Sequence, residues 1–197
     1  LEKPDVAEDS HPLAQRLAER LSARASRGPI LEIAHGSGRN TRALRRLGFE
    51  VVSIGDAVPY TQLPARKGGY AGALSTHGYL HGNFAKVRAG IAELCRVLAP
   101  GAPVALVFGS VNDVRFGFGT QIDDVTFAPG EGPEAGIPHA FLDEDAVREA
   151  MAGFTIESAQ ETETDAIAGK WAHADDELEG RMHWFVLASK SGGKPDA

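Results

Sequence analysis

Apolar residues along this chain recur with two alternating periods. Leu13, Leu17, Ala18 and Leu21 sit three and four apart, which puts them on one helix face and predicts a helix over residues 11–25, with Ser10 as N-cap and Pro12 in the first turn. Arg27-Gly28-Pro29 breaks that pattern, and the short apolar run 30–34 reads as a buried strand. Residues 39–47 return to helical spacing until Gly48, and 49–54 reads as a second strand. Strand, glycine turn, helix, strand is the βαβ unit of a parallel sheet.

The pattern then thins. Residues 55–69 contain Pro59, Pro64 and a glycine pair and predict a loop, after which 70–76 reads as a third strand. Asn83 can cap a helix that carries Val87, Ile91, Leu94 and Leu98 on one side and stops at Pro100-Gly101. Residues 104–108 form an apolar run of strand length. The stretch 113–138 is rich in Gly and Pro without a clear period, and so long a loop inside a compact domain is usually a lid or binding segment. A helix over 143–151 capped by Asp143, a weak alternation over 155–162 and a final strand over 183–189 complete the series. The predicted architecture is a doubly wound, mostly parallel α/β sheet with helices on both faces and an antiparallel C-terminal strand. It forms one domain over residues 1–190 with a cap insertion at about 111–140, and the tail 191–197 is expected to fray.

Composition adds limits. The chain has 197 residues, 43% apolar and 24% charged, close to globular averages, and no apolar run approaches the roughly 20 residues of a membrane span. The first residues lack a charged-then-apolar leader pattern, so a cytoplasmic location and no membrane partner are expected. A formal charge of −7 disfavours a nucleic-acid partner, although Arg39, Arg42, Arg45 and Arg46 lie on one presumptive helix. Cys95 is the only cysteine, which excludes an intrachain disulfide and argues against a thiolate zinc site.

The segment Leu31-Glu32-Ile33-Ala34-His35-Gly36-Ser37-Gly38-Arg39-Asn40 lies between a predicted strand and a predicted helix, the context that a glycine fingerprint requires. Gly36 and Gly38 let the backbone bend and approach a ligand, and Glu32 can accept hydrogen bonds from it. The dinucleotide spacing G-x-G-x-x-G is incomplete, because Asn40 and Thr41 follow where a third glycine would stand. Further on, Ala73-Leu74-Ser75-Thr76-His77-Gly78-Tyr79-Leu80-His81 closes the third strand, at the edge of an open α/β sheet where ligands gather. His77 and His81 can each serve as a general base, since imidazole titrates around 6.5. Their spacing would also permit two ligands to one metal, but no carboxylate stands nearby in sequence and no metal is expected.

These segments resemble class I S-adenosylmethionine (SAM) dependent methyltransferases. The first is similar to motif I, the second to motif IV, and Arg96-Val97-Leu98-Ala99-Pro100-Gly101 to the turn that follows it; the nearest kind is the small bacterial tellurite-resistance and thiopurine-like enzymes. The resemblance implies an enzyme that transfers a methyl group from SAM to a small-molecule nucleophile. It implies that Glu32, Ala34, His35, Gly36 and Gly38 surround the methionine and ribose of the cofactor, that Asp56 holds the ribose hydroxyls or, with Gln62, the adenine, and that Thr76 lies beside the methyl. His77 and His81 are the candidate catalytic residues, and a homodimer is left open. Two departures stand out. Ala34 occupies the place of the family's first glycine, which requires a negative φ there if the methyl group is to be accommodated. From Gly38 to Ser75 is only 37 residues, too few for the helix and strand that usually intervene. A non-catalytic SAM-binding protein and an NAD-binding Rossmann protein are the alternatives. Asp113, Arg115, Phe116, His139, Trp171 and His173 fall where such enzymes vary their substrate caps.

Overall fold

The computed structural model describes residues 10–24, 28–34, 36–55, 57–65, 67–132, 134–163 and 180–192. Four helices and nine strands follow one another as α1 (Pro12–Ser22), β1 (Ile30–Ile33), α2 (Arg39–Arg46), β2 (Val51–Ile54), β3 (Gly72–Ser75), α3 (Phe84–Val97), β4 (Pro103–Ser110), β5 (Thr120–Asp123), β6 (Thr126–Ala128), β7 (His139–Leu142), α4 (Glu144–Ala150), β8 (Phe154–Glu163) and β9 (Met182–Lys190). None of these helices is long and apolar enough to cross a membrane.

Strands β2, β1, β3 and β4 lie side by side and parallel, and β9 runs antiparallel against β4 with β8 beyond it. The expected parallel sheet with an antiparallel C-terminal strand is therefore present. Side chains alternate across it, as the pleat demands. Leu31, Ile33, Val104, Leu106 and Phe108 pack with Val87, Ile91 and Leu94 of α3 and Val147 of α4. Ile30, Leu74, Ala105 and Val107 pack with Leu13, Leu17 and Leu21 of α1 and Leu44 of α2. Helices thus cover both faces, and each fully buried leucine contributes about 1.5–3 kcal/mol.

Helix starts follow local chemistry. Asn83 Oδ1 accepts from the Lys86 N–H and Asp143 Oδ1 from the Ala146 N–H, as the sequence predicts. At α1 the N-cap is His11, not Ser10: His11 Nδ1 accepts from the Leu13 N–H. A ring nitrogen two bonds from Cβ reaches the same orphan donor that a serine hydroxyl would.

Two features set the site. Between β2 and β3 the described residues form turns without helix or strand, so among the described residues β2 is the last strand on that side of the sheet. At the other end, β4 outruns β3. Register with β3 stops at Leu106, and the extension at Gly109 and Ser110 pairs in parallel with Phe141 and Leu142 of β7. Strand β7 then pairs with β6, and β6 with β5. The segment read from sequence as an irregular lid is in part a three-stranded antiparallel cap rooted on the tip of β4.

Candidate functional site

The floor of the site is the turn from β1 into α2. Ala34 has φ 54, Gly36 φ 51 and Gly38 φ 74, so three of five consecutive positions lie in the left-handed region. Among the described residues Ala34 is the only non-glycine there. The condition placed on Ala34 is not met: φ is positive, and its methyl group is held in a conformation that costs an L-residue about 1–2 kcal/mol. A Cβ added at Gly36 would meet nothing within 4 Å. Gly36 thus has open space where a side chain would stand, and Arg42 Nη1 holds the turn by donating to Ser37 O at 2.7 Å.

Beneath the turn, Glu32 is buried and accepts a hydrogen bond from Thr41 Oγ1, which lies 2.6 Å from Ser53 Oγ. The carboxylate ties the first turn of α2 to β1 and β2. Asn40, also buried, extends the network: its Oδ1 accepts from the His11 N–H at 2.9 Å, and its Nδ2 donates to Thr76 Oγ1 at 3.3 Å. The sequence reading missed Asn40, Thr41 and His11. Two adjacent polar residues in the first turn of a helix that directly follows the glycines were the available signal. His11 is buried and its pKa is lowered to about 3, chiefly by desolvation and then by the Arg39 guanidinium.

The side wall is the tip of β3. Ser75 Oγ donates to Ile33 O and accepts from the Gly78 N–H, so the chain turns sharply over β1 and carries Thr76 and His77 to the strand end. The His77 and His81 rings meet edge to face at 5.4 Å, and His81 meets His139 of β7 in the same way at 4.9 Å. Backbone contacts fix these positions: His81 bridges to His139, Gly82 N donates to Pro138 O, and Tyr60 Oη donates to His81 O at 2.5 Å. Gly82, at φ 119, is needed there because a Cβ would lie 2.4 Å from Tyr60 Oη.

The cap supplies a carboxylate, Glu134, that no sequence pattern places here. Glu134 Oε1 is 3.3 Å from His81 Nε2, and Glu134 Oε2 is 3.1 Å from His139 Nε2. The imidazoles of His139 and His81 hold the Glu134 carboxyl well below the usual carboxylate range. Asp113 and Arg115 anchor the cap to β9. Arg115 Nε and Nη2 donate to the two Asp113 oxygens at 2.8 and 3.0 Å, and the Met182 N–H donates to Oδ2 at 2.9 Å. Burial pushes the Asp113 pKa up, but the Arg115 hydrogen bonds and charge outweigh it and leave a net lowering. Arg115 Nη2 also lies 3.1 Å from His183 Nε2, and burial followed by that guanidinium lowers the His183 pKa to about 3. Phe116, Phe127 and Phe141 stack within the cap.

Of the residues expected at the site, Glu32, Ala34, Gly36 and Gly38 gather at the floor, and Thr76, His77 and His81 at the adjoining wall. Thr76 is linked to the floor through Asn40. Gln62 is exposed, one residue before the Leu63 N–H that binds Glu93 Oε1 on α3. His35, Asp56, Trp171 and His173 lie outside the described residues.

No family model and no curated protein sequence matches the chain. Solved structures do. A SAM-dependent methyltransferase from Methanosarcina mazei superposes with a TM-score of 0.62 at 16% identity, over 94% of this chain and 100% of that one. The 1,6-didemethyltoxoflavin-N1-methyltransferase of Burkholderia thailandensis, solved with 1,6-didemethyltoxoflavin and S-adenosylhomocysteine bound, gives 0.61 at 15% identity over 91% and 79%. The CcbJ methyltransferase of Streptomyces caelestis gives 0.58 at 15% identity over 97% and 100%. What the chain shares with these proteins is the fold, and that fold is the Rossmann-like α/β sheet of SAM-dependent methyltransferases.

Proposed function

We propose that the chain is an enzyme that transfers the methyl group of SAM to a small-molecule nucleophile and releases S-adenosylhomocysteine. The observation that carries this reading is the open left-handed turn at residues 34–38, set directly against the β3 tip that bears Thr76 and His77. The absence of a Cβ at Gly36, with space where a side chain would stand, fits a ligand lying along the turn. Bound there, SAM supplies a sulfonium methyl, whose carbon–sulfur bond breaks with the electron pair left on sulfur as the acceptor's lone pair forms the new bond.

The chain's residues have correspondingly modest tasks: align acceptor and methyl, exclude water and, where needed, hold a proton. In this reading Ala34, His35, Gly36 and Gly38 line the methionine and ribose, and Asp56 and Gln62 serve the ribose or adenine. Glu32 acts through Thr41, fixing the start of α2. His77 accepts the acceptor's proton at a ring nitrogen, with His81 beside it. The cap closes over the acceptor and gives it an aromatic surface. The negative charge of the chain and the small-molecule methyltransferases among its structural neighbours favour a small acceptor over a nucleic acid.

A non-catalytic SAM-binding protein has one observation in its favour, the strained Ala34. Calorimetric titration with SAM, S-adenosylhomocysteine and NAD tests the cofactor assignment. SAM and S-adenosylhomocysteine are expected to bind and NAD not to. Gly36→Val places a branched side chain at φ 51, which strains the turn, so its folding is verified by circular dichroism; the folded variant should lose about 100-fold or more in SAM affinity, some 2.7 kcal/mol. Unchanged SAM affinity in that variant would move the cofactor away from the turn. Product release during incubation with SAM and pooled small acceptors separates an enzyme from a binding protein.

A further inference from the structure

We propose that His77, His81 and Glu134, joined by His139, bind one divalent transition-metal ion of the zinc class between the β3 tip and the cap. One donor atom from each of the first three residues falls within a sphere where all lie within 4.8 Å of one another. Ligands around a tetrahedral zinc stand about 3.3 Å apart, given zinc–nitrogen bonds of about 2.0–2.1 Å. His81 Nε2 and Glu134 Oε1 are already at 3.3 Å.

His139 supplies an independent reason. Its Nδ1 is 2.8 Å from Ile137 O, and a carbonyl only accepts, so Nδ1 carries the proton. In the neutral ring Nε2 then presents a lone pair. That atom is buried, makes no aligned hydrogen bond among the described residues, and is 3.1 Å from a Glu134 oxygen, a second acceptor. A neutral His139 would set two acceptors at that distance, and either a second ring proton, which makes the pair an ion pair, or a bound cation relieves them. Arg115 Nη1 stands 3.9 Å from the same oxygen, beyond hydrogen-bond reach. A ring whose far N–H is fixed by a backbone carbonyl is the usual state of a metal-ligating histidine. Two imidazoles or three with one carboxylate suit zinc and its first-row neighbours rather than magnesium or calcium.

The donors are held ready. The His81–His139 bridge, the Gly82–Pro138 hydrogen bond and the Tyr60 hydroxyl on His81 O fix the backbone of two of them, and the His77, His81 and His139 rings already pack edge to face. A bound ion would staple the cap to the tip of β3. If the neighbouring turn takes SAM, the ion also faces the acceptor. An oxygen nucleophile such as an enol, phenol or hydroxy acid would then coordinate as its anion, its proton released to solvent, and His77 and His81 would serve as ligands in place of the proton-accepting role given above. That consequence rests on the methyl-transfer reading; binding of the ion does not.

The test uses the full chain, stripped with chelator and without SAM, titrated with Zn2+ by calorimetry and with Co2+ by visible absorption. One equivalent should bind with micromolar or tighter affinity, Zn2+ should raise the melting temperature, and Co2+ should give the intense bands of a four- or five-coordinate site. Glu134→Gln and His81→Asn, each verified as folded by circular dichroism, should weaken binding by about 100-fold or more. No stoichiometric binding to the parent would overturn the proposal, and so would unchanged affinity in both folded variants.

Discussion

The two walls of the cleft are built in different ways. The floor is shaped by local backbone: of the five residues after β1 three have positive φ, supported from below by Glu32, Thr41 and Asn40. The cap wall is made of side chains drawn from far apart. Glu134 meets His81 across 53 positions, Arg115 meets His183 across 68, and Asp113 holds the Met182 N–H across 69. Backbone conformation is encoded within a few residues and survives most neighbouring changes. A convergent cluster fails when any one contributor shifts. The stability of the floor should therefore respond to substitution in small, graded steps, and that of the cap in large ones.

The largest effect is expected at Asp113. Asp113→Ala leaves the Arg115 guanidinium and the Met182 N–H without their acceptor in a largely buried setting, and breaking such a pair costs about 3–5 kcal/mol. Urea unfolding should show that loss. A cost below about 1 kcal/mol would mean that the cap anchors on β9 by other contacts.

The next effect depends on pH. His11 and His183 have folded pKa values of about 3, against about 6.5 when unfolded. The unfolded chain therefore binds more protons between those values, and their contribution to stability is complete above 6.5 and is lost as pH falls toward 3. Glu134 and Asp113, both with lowered pKa values, add to the loss only below about 4.5. Between pH 6.5 and 4.5 these two histidines together contribute a slope of about 2.8 kcal/mol per pH unit, about 1.4 from each. His11→Asn keeps an N-cap acceptor and should halve that slope. An unaltered slope would show that His11 does not stay neutral.

The smallest effect belongs to the floor. Ala34→Gly relieves the positive φ and should stabilise the fold by about 1 kcal/mol, or roughly 2–4 °C in melting temperature. No gain would mean that the turn relaxes around the alanine.

This contrast also explains what was legible in the sequence. Strands β1, β3 and β4 are apolar runs between glycines and prolines, and their presence, though not their ends, can be read directly: residues 70–76 shorten to Gly72–Ser75. The Asn83 and Asp143 caps were equally plain, because a cap and the N–H it serves are three residues apart. Strands β5 and β6 were not. They are four and three residues long, and β5 is largely exposed, so no alternation betrays it. Glu134 could not be found at all, since nothing near it in sequence tells that the cap folds its carboxylate onto His81 and His139.

Ending the sheet at β2 has a consequence for solubility. A terminal strand offers unpaired backbone to any passing extended chain, and such edges seed aggregation. Among the described residues no strand pairs with the outer edge of β2, which is four residues, about 13 Å, long. The Ile30 N–H takes Glu50 O, so the next carbonyl, that of Val51, points off the sheet, and Arg45 Nη2 donates to it at 2.9 Å. A guanidinium thus occupies an acceptor that an incoming strand would need and places a positive charge beside it. The arginine-rich face of α2, which in sequence resembles a binding patch, serves at this position as a guard against edge-to-edge association.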